Sequence, residues 1–362
     1  MALLRIFELG ENMSDLQIST DAADVNRNAD AVTPAILESH TPLAVRTFGL
    51  TDTGRVRAVN QDQFLVATLL KALQIEQSSL PRKRIQHSPD RSYLFVVADG
   101  MGGHAGGEQA SAMAIDSVEE FILGTFKWFA QFKGPEQDQV LTDFQTALGD
   151  ANARVLAEAR DWPELRGMGT TLTLAYSLND VLFIAHVGDT RCYLCRQGRL
   201  HQLTCDHTLV DEMVRNGTVA IEDAAKHCLR HVITNAVGGT SANLKVEVHK
   251  LQLEAGDRVL LCSDGLTGML KDEKINQVLL DADEPAEACR QLVLRANESG
   301  GRDNITVVVA DFSIGNKPES LATENLRDSS IENPQALLTG PASVAGAQTE
   351  VVVAETRCSC QQ

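Results

Sequence analysis

No run of apolar residues in this chain approaches the ~18 or more that a membrane-spanning helix needs, so no membrane span is expected. The opening stretch MALLRIFELG also lacks the long apolar core of a secretory signal. Basic charge is scarce: 32 Lys and Arg face 49 Asp and Glu, a formal net charge of −17. Such a surface repels nucleic-acid phosphates and anionic lipid, which argues against a nucleic-acid partner. The eight cysteines, at 192, 195, 205, 228, 262, 289, 358 and 360, lie mostly in apolar, strand-like segments, and a reduced cytoplasmic setting is the natural expectation. Cys192 and Cys195 form a C-x-x-C, but no second pair or well-spaced histidine follows. In an extended strand those two side chains face opposite ways, so zinc is not expected. A His-Cys-x₅-Arg loop is missing as well, since Thr234 stands where His227-Cys228 would need an arginine. There is no Walker A pattern. Cysteine-based phosphoester chemistry and P-loop chemistry are thereby excluded.

What the chain does have is an ordinary globular balance, with 43% hydrophobic and 22% charged residues over 362 positions, enough to bury one substantial core. Residues 1–43 and 314–362 show no sustained period and read as flexible tails around a folded unit over 44–313. Within that unit, 69–91 carries Gln, Ser, Pro and the basic cluster at 81–84, and reads as a surface insertion. Strands are predicted at 45–50, 62–68, 92–98, 170–177, 181–187, 191–196, 199–203, 245–251, 257–262 and 304–312. Asn179-Asp180 and Gln197-Gly198 can each close a hairpin, so 170–203 is expected to form an antiparallel meander. Helical patterns at 107–130, 137–160 and 272–297 flank this meander rather than alternating with its strands. The expectation is an α+β fold with helices covering antiparallel sheets.

The informative feature is a set of aspartates, each just past an apolar strand: Asp62, Asp99 in Asp99-Gly100-Met101-Gly102-Gly103-His104, Asp189, Asp264 and Asp303. One Asp-Gly is usually a turn. Several carboxylates converging on one rim would repel each other strongly unless a cation neutralised them. Mg²⁺ and Mn²⁺ favour carboxylate, carbonyl and water oxygens, and this set offers no paired His or Cys ligands. A water shared by two such ions ~3.5–4 Å apart becomes a nucleophile for in-line attack at phosphorus, which suggests a phosphate-ester substrate.

Seven motifs, in order, resemble the bacterial branch of the type 2C (PPM) family of metal-dependent protein serine/threonine phosphatases. They run from Gly54-x-Val56-Arg57-x-x-Asn60-Gln61-Asp62 through Asp99-Gly-Met-Gly-Gly-His104, Gly167-Met-Gly169-Thr170-Thr171 and Val187-Gly188-Asp189-Thr190-Arg191. Leu203-Thr204-x-Asp206-His207, Ser263-Asp264-Gly265-Leu266 and Asp303-Asn304-Ile305-Thr306 follow. The resemblance implies a four-layer α-β-β-α sandwich, with two antiparallel sheets between helices, and a mobile flap around 206–240. It also implies two Mg²⁺ or Mn²⁺ ions held by Asp62, Asp99, Asp264, Asp303 and the Gly100 carbonyl, with Asp99 bridging the ions and activating water. Arg57 would hold the substrate phosphate, and Asp189 would serve a weaker third ion. Substrates would be phosphoserine and phosphothreonine proteins, such as those modified by bacterial-type Ser/Thr kinases.

Two positions depart from the family pattern. Met101 stands where the mammalian branch has a histidine proposed as general acid, and Gly268 stands where bacterial members often carry an aspartate. Other residues read as structural. His104 is expected to contact a helix start, Asn304 to fix a turn, and Gly167–Thr171 to be a close-packing strand entry. Asp206 and Thr208 can each cap the helix that follows through Asn216, a reading that weighs evenly against a substrate role. A two-metal nuclease is disfavoured by the missing basic groove. A catalytically dead phospho-binding module is disfavoured because all four core aspartates are present.

Overall fold

A computed structural model describes residues 43–314 apart from 76, 78, 81–84, 103–105, 125–135, 225 and 241–242. The expected tails lie outside the described residues except at Leu43 and Ile314, which already belong to strands, and His104 lies outside them entirely. Among the described residues twelve strands and seven α-helices follow in chain order. They are β1 (Leu43–Asp52), β2 (Asp62–Gln74), β3 (Ile85–Met101), α1 (Gly106–Gly124), α2 (Glu136–Asp161), β4 (Gly169–Thr170), β5 (Leu172–Leu178), β6 (Val181–Val187), β7 (Arg191–Arg196) and β8 (Arg199–Gln202). After these come α3 (Leu209–Arg215), α4 (Ile221–Ala224), β9 (Val237–Gly238), β10 (Glu247–Gln252), β11 (Arg258–Cys262), α5 (Asp264–Thr267), α6 (Asp272–Asp281), α7 (Pro285–Glu298) and β12 (Ile305–Ile314).

Two antiparallel sheets stack face to face. One has the order β1-β12-β11-β7-β8, and the other the order β10-β6-β5-β3-β4-β9 with β2 paired to β3. The central strands are apolar on both faces, because a sheet covered on both sides cannot alternate apolar with polar residues. In β3, Phe95 and Val97 point into the layer between the sheets, while Leu94, Val96 and Ala98 face the helices. On α1, Ala110, Ala114, Val118 and Ile122 recur at helical spacing and pack there with Val140, Phe144, Leu148 and Val155 of α2. Beyond the other sheet, α6 and α7 bury Ile275, Leu279, Leu292 and Ala296. The result is the four-layer α-β-β-α sandwich, an α+β fold. Cys192 and Cys195 do face opposite sides of their sheet.

Four expectations need correction. The stretch 69–91, read as an insertion between strands, is itself largely strand: β2 and β3 extend into it, pairing Leu70 with Arg91 and Gln74 with Ile85 past a register shift between Leu70 and Ala72, and the basic cluster at 81–84 lies outside the described residues. The segment 170–203 is not one meander, because β5 and β6 lie in one sheet and β7 and β8 in the other. The chain therefore changes sheets between Val187 and Arg191. The helix over 272–297 is broken in two, because Pro285 lacks an N–H and opens a new helix at its first turn. Thr208, not Asp206, caps α3, its hydroxyl accepting from the Asp211 N–H at 3.3 Å.

Candidate active site

The sheet rim gathers the five aspartates through register rather than sequence proximity. Asp62 opens β2 directly opposite Asp99 near the end of β3, an arrangement of like charges that is destabilising unless something neutralises it. Asp264 starts α5 straight after β11, Asp303 precedes β12, and Asp189 sits where the chain crosses between sheets. Asp99, Asp189, Asp264 and Asp303 line one cleft of about 560 Å³ together with Arg57 and Gly100. Asp62 stands behind it, 2% exposed.

Hydroxyl groups hold these carboxylates in place. Ser263 Oγ and Thr306 Oγ1 each donate to Asp62 Oδ2 at 2.7 Å. Asp62 Oδ1 and Asp189 Oδ1 are buried without any hydrogen-bond partner. Around Asp99, the Thr171 hydroxyl accepts the main-chain N–H at 2.9 Å, and the Thr170 hydroxyl donates to the carbonyl at 2.9 Å. The Thr170-Thr171 pair thus cradles the Asp99 backbone, a role that close packing alone did not suggest.

The electrostatics match this crowding. Burial, opposed by the two hydroxyl donors and reinforced by Asp264 and Asp303, pushes Asp62 up to about 6. Burial pushes Asp189 up to about 8, with Asp264 and Asp206 adding to the rise. Asp99 is raised well above the usual range by burial and then by Asp62 and Asp264, and Asp264 is raised by burial and then by Asp303. Charge that is costly to form, on oxygens with free lone pairs facing a cleft, is what a divalent cation relieves. The residues therefore fit an oxygen-ligated dication.

The loop 53–60 carries Arg57 into this site. Asn304 staples that loop, donating to Thr53 O and Val59 O at 3.0 Å and accepting from Gln61 N at 2.8 Å. Gly54 has φ +81, and a Cβ there would meet Asp303 O at 2.2 Å, so only glycine allows the loop to lie against Asp303. Arg57 Nη2 reaches Asp303 Oδ2 at 2.7 Å, yet its side chain stays 54% exposed. Its pKa is raised, chiefly by that hydrogen bond. From the far side Arg230, His231 and Ile233 complete the cleft. These three carried no motif signal, and only the fold brings them in. His231 Nδ1 lies 4.0 Å from Asp264 Oδ2. Among the described residues, one His/Glu cluster of metal-binding proximity stands elsewhere, at His186, His207 and Glu247.

Two stacked antiparallel sheets, with a rim of buried carboxylates and an arginine facing one cleft, define the class of metal-dependent phosphate-ester hydrolases. Within that class the chain belongs to the protein phosphatase 2C family, which it matches over residues 82–303. It is 30% identical over 267 residues to the serine/threonine phosphatase stp of Listeria innocua, a match covering 74% of this chain and 96% of that protein. The crystal structure of the Mycobacterium tuberculosis serine/threonine phosphatase PstP/Ppp is similar, with 33% identity, a TM-score of 0.60, and 74% and 99% of the two chains covered. The catalytic domain of PstP in complex with 2 manganese ions is similar too, with 33% identity, a TM-score of 0.58, and 75% and 99% covered. The chain is a protein serine/threonine phosphatase. Among the described residues no helix is long and apolar enough to cross a membrane.

Proposed function

We infer that this phosphatase hydrolyses phosphoserine and phosphothreonine esters with two divalent ions, Mg²⁺ or Mn²⁺, seated on the rim carboxylates. The observation that carries this reading is the pair of unsatisfied buried oxygens, Asp189 Oδ1 in the cleft that Asp99 and Asp264 also line, and Asp62 Oδ1 on the residue paired opposite Asp99. Asp62, Asp99, Asp264 and Asp303, with the Gly100 carbonyl, would hold the two ions, and Asp99 would bridge them. When bound, such ions supply a water of lowered pKa and neutralise charge on the phosphoryl oxygens. Asp189 would serve a weak third ion.

The protein's own residues do the rest. Arg57 presents a planar fork that can donate two hydrogen bonds to phosphate oxygens. Ser263 and Thr306, by donating to Asp62 Oδ2, leave its Oδ1 free to face a cation. The cleft adjoins a second of about 610 Å³ that shares Asp189, Arg230, His231 and Asp264, which gives room for chain on either side of a phosphoresidue. Phosphoproteins made by bacterial-type Ser/Thr kinases, in the cytoplasm, are the proposed substrates. The test is phosphate release from a phosphothreonine peptide. Activity should require Mn²⁺ or Mg²⁺, vanish with chelator and survive thiol alkylation. Full activity in a metal-stripped sample would refute the reading.

A further inference from the structure

The cluster of His186, His207 and Glu247 has the proximity of a metal site, but its hydrogen bonds assign its nitrogens otherwise. His186 Nε2 lies 3.0 Å from the Cys205 carbonyl, which can only accept, so that nitrogen carries the proton and Nδ1 accepts from Thr173 Oγ1 at 2.8 Å. Burial, and next the neighbouring His207, lower the His186 pKa to about 4, which keeps the ring neutral. The orientation of the Asn235 amide is fixed by Lys245, whose N–H donates to Oδ1 at 3.2 Å and whose carbonyl accepts from Nδ2 at 2.6 Å. Asn235 Nδ2 therefore donates to His207 Nδ1 at 3.0 Å, and the Gly188 N–H donates to the same atom at 3.0 Å. Two donors aimed at Nδ1 require it to be bare. The proton sits on Nε2, which faces Glu247 Oε2 at 3.4 Å. Every ring nitrogen of both histidines is thus engaged, and none is left for a metal.

What this network does is clamp one peptide unit of the rim. His207 takes the Gly188 N–H on its ring and gives its own N–H to Gly188 O at 2.7 Å. Gly188 has φ +110, and a Cβ there would come within 2.5 Å of Thr171, so this residue of the turn that delivers Asp189 can be held only through its backbone, while Thr190 beyond it is fixed by a 2.6 Å hydroxyl contact with Thr173. His207 O also accepts from Thr234 N at 2.8 Å, and Leu209 N donates to Val232 O at 2.8 Å. Both ends of the segment carrying Arg230, His231 and Ile233 are therefore tied at this one residue and its neighbours.

On the phosphatase reading above, we propose that His207 is a positioning residue that locks the flap segment and the Gly188-Asp189 turn into one unit, setting how a phosphoprotein chain meets the cleft. Asparagine can place an oxygen where His207 Nδ1 lies, whereas glutamine reaches the Nε2 position and loses the clamp. His207→Gln should lower kcat/KM for a phosphothreonine peptide by about tenfold, while leaving a small aryl phosphate, which needs only Arg57 and the central aspartates, within about twofold. His207→Asn should hold both within about threefold of wild type. Should His207→Gln fail to fold by thermal melt, Asn235→Ala, which removes one donor to the ring, is read for the same split. Nitrogen NMR of the wild type at pH 8 should show His207 bare at Nδ1 and protonated at Nε2. A protonated Nδ1, an equal loss on both substrates, or an asparagine variant no better than the glutamine one would overturn the proposal. If the wild type releases no phosphate from either substrate, the phosphatase reading falls, and the NMR result alone decides whether the clamp exists.

Discussion

At the residue scale the site is a balance between burial and charge, and single substitutions should read it directly. Asp99 lies opposite Asp62 and shares its cleft with Asp264 and Asp303. Asp99→Asn keeps the volume and removes one charge, so kcat should fall by about 10²-fold or more with the melting temperature unchanged or raised. Wild-type turnover by a folded variant, measured as phosphate release, would count against the assignment. Arg57→Lys replaces a fork with a point charge. KM for a phosphopeptide should then rise by about tenfold with little change in Mn²⁺ affinity, and equal loss of both would reassign Arg57 to structure. The pH dependence has a definite sign. Asp62 and Asp189 have folded pKa values of about 6 and about 8, above the unfolded value near 3.8. Through these two carboxylates the metal-free native state binds more protons than the unfolded chain between about pH 4 and pH 8, and the stability they contribute falls as pH rises through that window, while His186, lowered from 6.5 to about 4, acts the other way over the lower part of it. Melts of stripped protein should be lower at pH 8 than at pH 5, with added Mn²⁺ restoring more at pH 8. The opposite order would mean that these carboxylates are not strained.

At the element scale, the parts of the fold legible in the sequence were those fixed by local geometry. Asn179, at φ 56, and Gln197-Gly198, at φ 51 and 79, make the left-handed turns that their identities suggested, and the hairpins they close are present. Asp99 and Asp264 were recognisable at the ends of apolar strands and Asp303 behind a glycine-rich turn, whereas Asp62, expected past a strand, opens one instead. Less legible was anything decided by tertiary partners. The change of sheet after Val187 leaves no local mark, since both sheets want the same apolar residues. Periodicity alone hid the break at Pro285, and the polar composition of 69–91 masked strands held by pairing with each other. Arg230 and His231 reach the cleft only through the ties at 207–209 and 232–235, which no spacing rule encodes. Gly268 is the element-scale test of the outer ion. It caps α5 at φ −69 and ψ −20, a conformation open to any residue. A Cβ would lie 2.9 Å from Asp264 O, so the turn must open slightly, at a cost of about 1 kcal/mol. Gly268→Asp should gain a third ion in a Mn²⁺ titration where wild type shows two tight sites. Nearby Asp272 is already engaged by the Tyr193 hydroxyl at 3.1 Å, and three equally occupied sites in wild type would show that another ligand compensates.

At the scale of the whole molecule, the sandwich explains why such a rim can exist. Phe95, Ile184, Val259 and Phe312 fill the layer between the sheets, and helices bury the outer faces, so the strand ends are held rigidly enough to keep carboxylates together against their repulsion. The net charge of −17 works in the same direction, since it favours binding of small cations over approach of polyanions. The account stands or falls on whether those converging aspartates are a two-ion centre. The direct measurement is a Mn²⁺ titration of metal-stripped protein in which bound ions per chain and phosphate release from a phosphothreonine peptide are read on the same samples. Two tight ions, with activity appearing as the second is filled and absent from Asp99→Asn, is the expected result; turnover before any ion binds, or binding of both ions undiminished in Asp99→Asn, would contradict it.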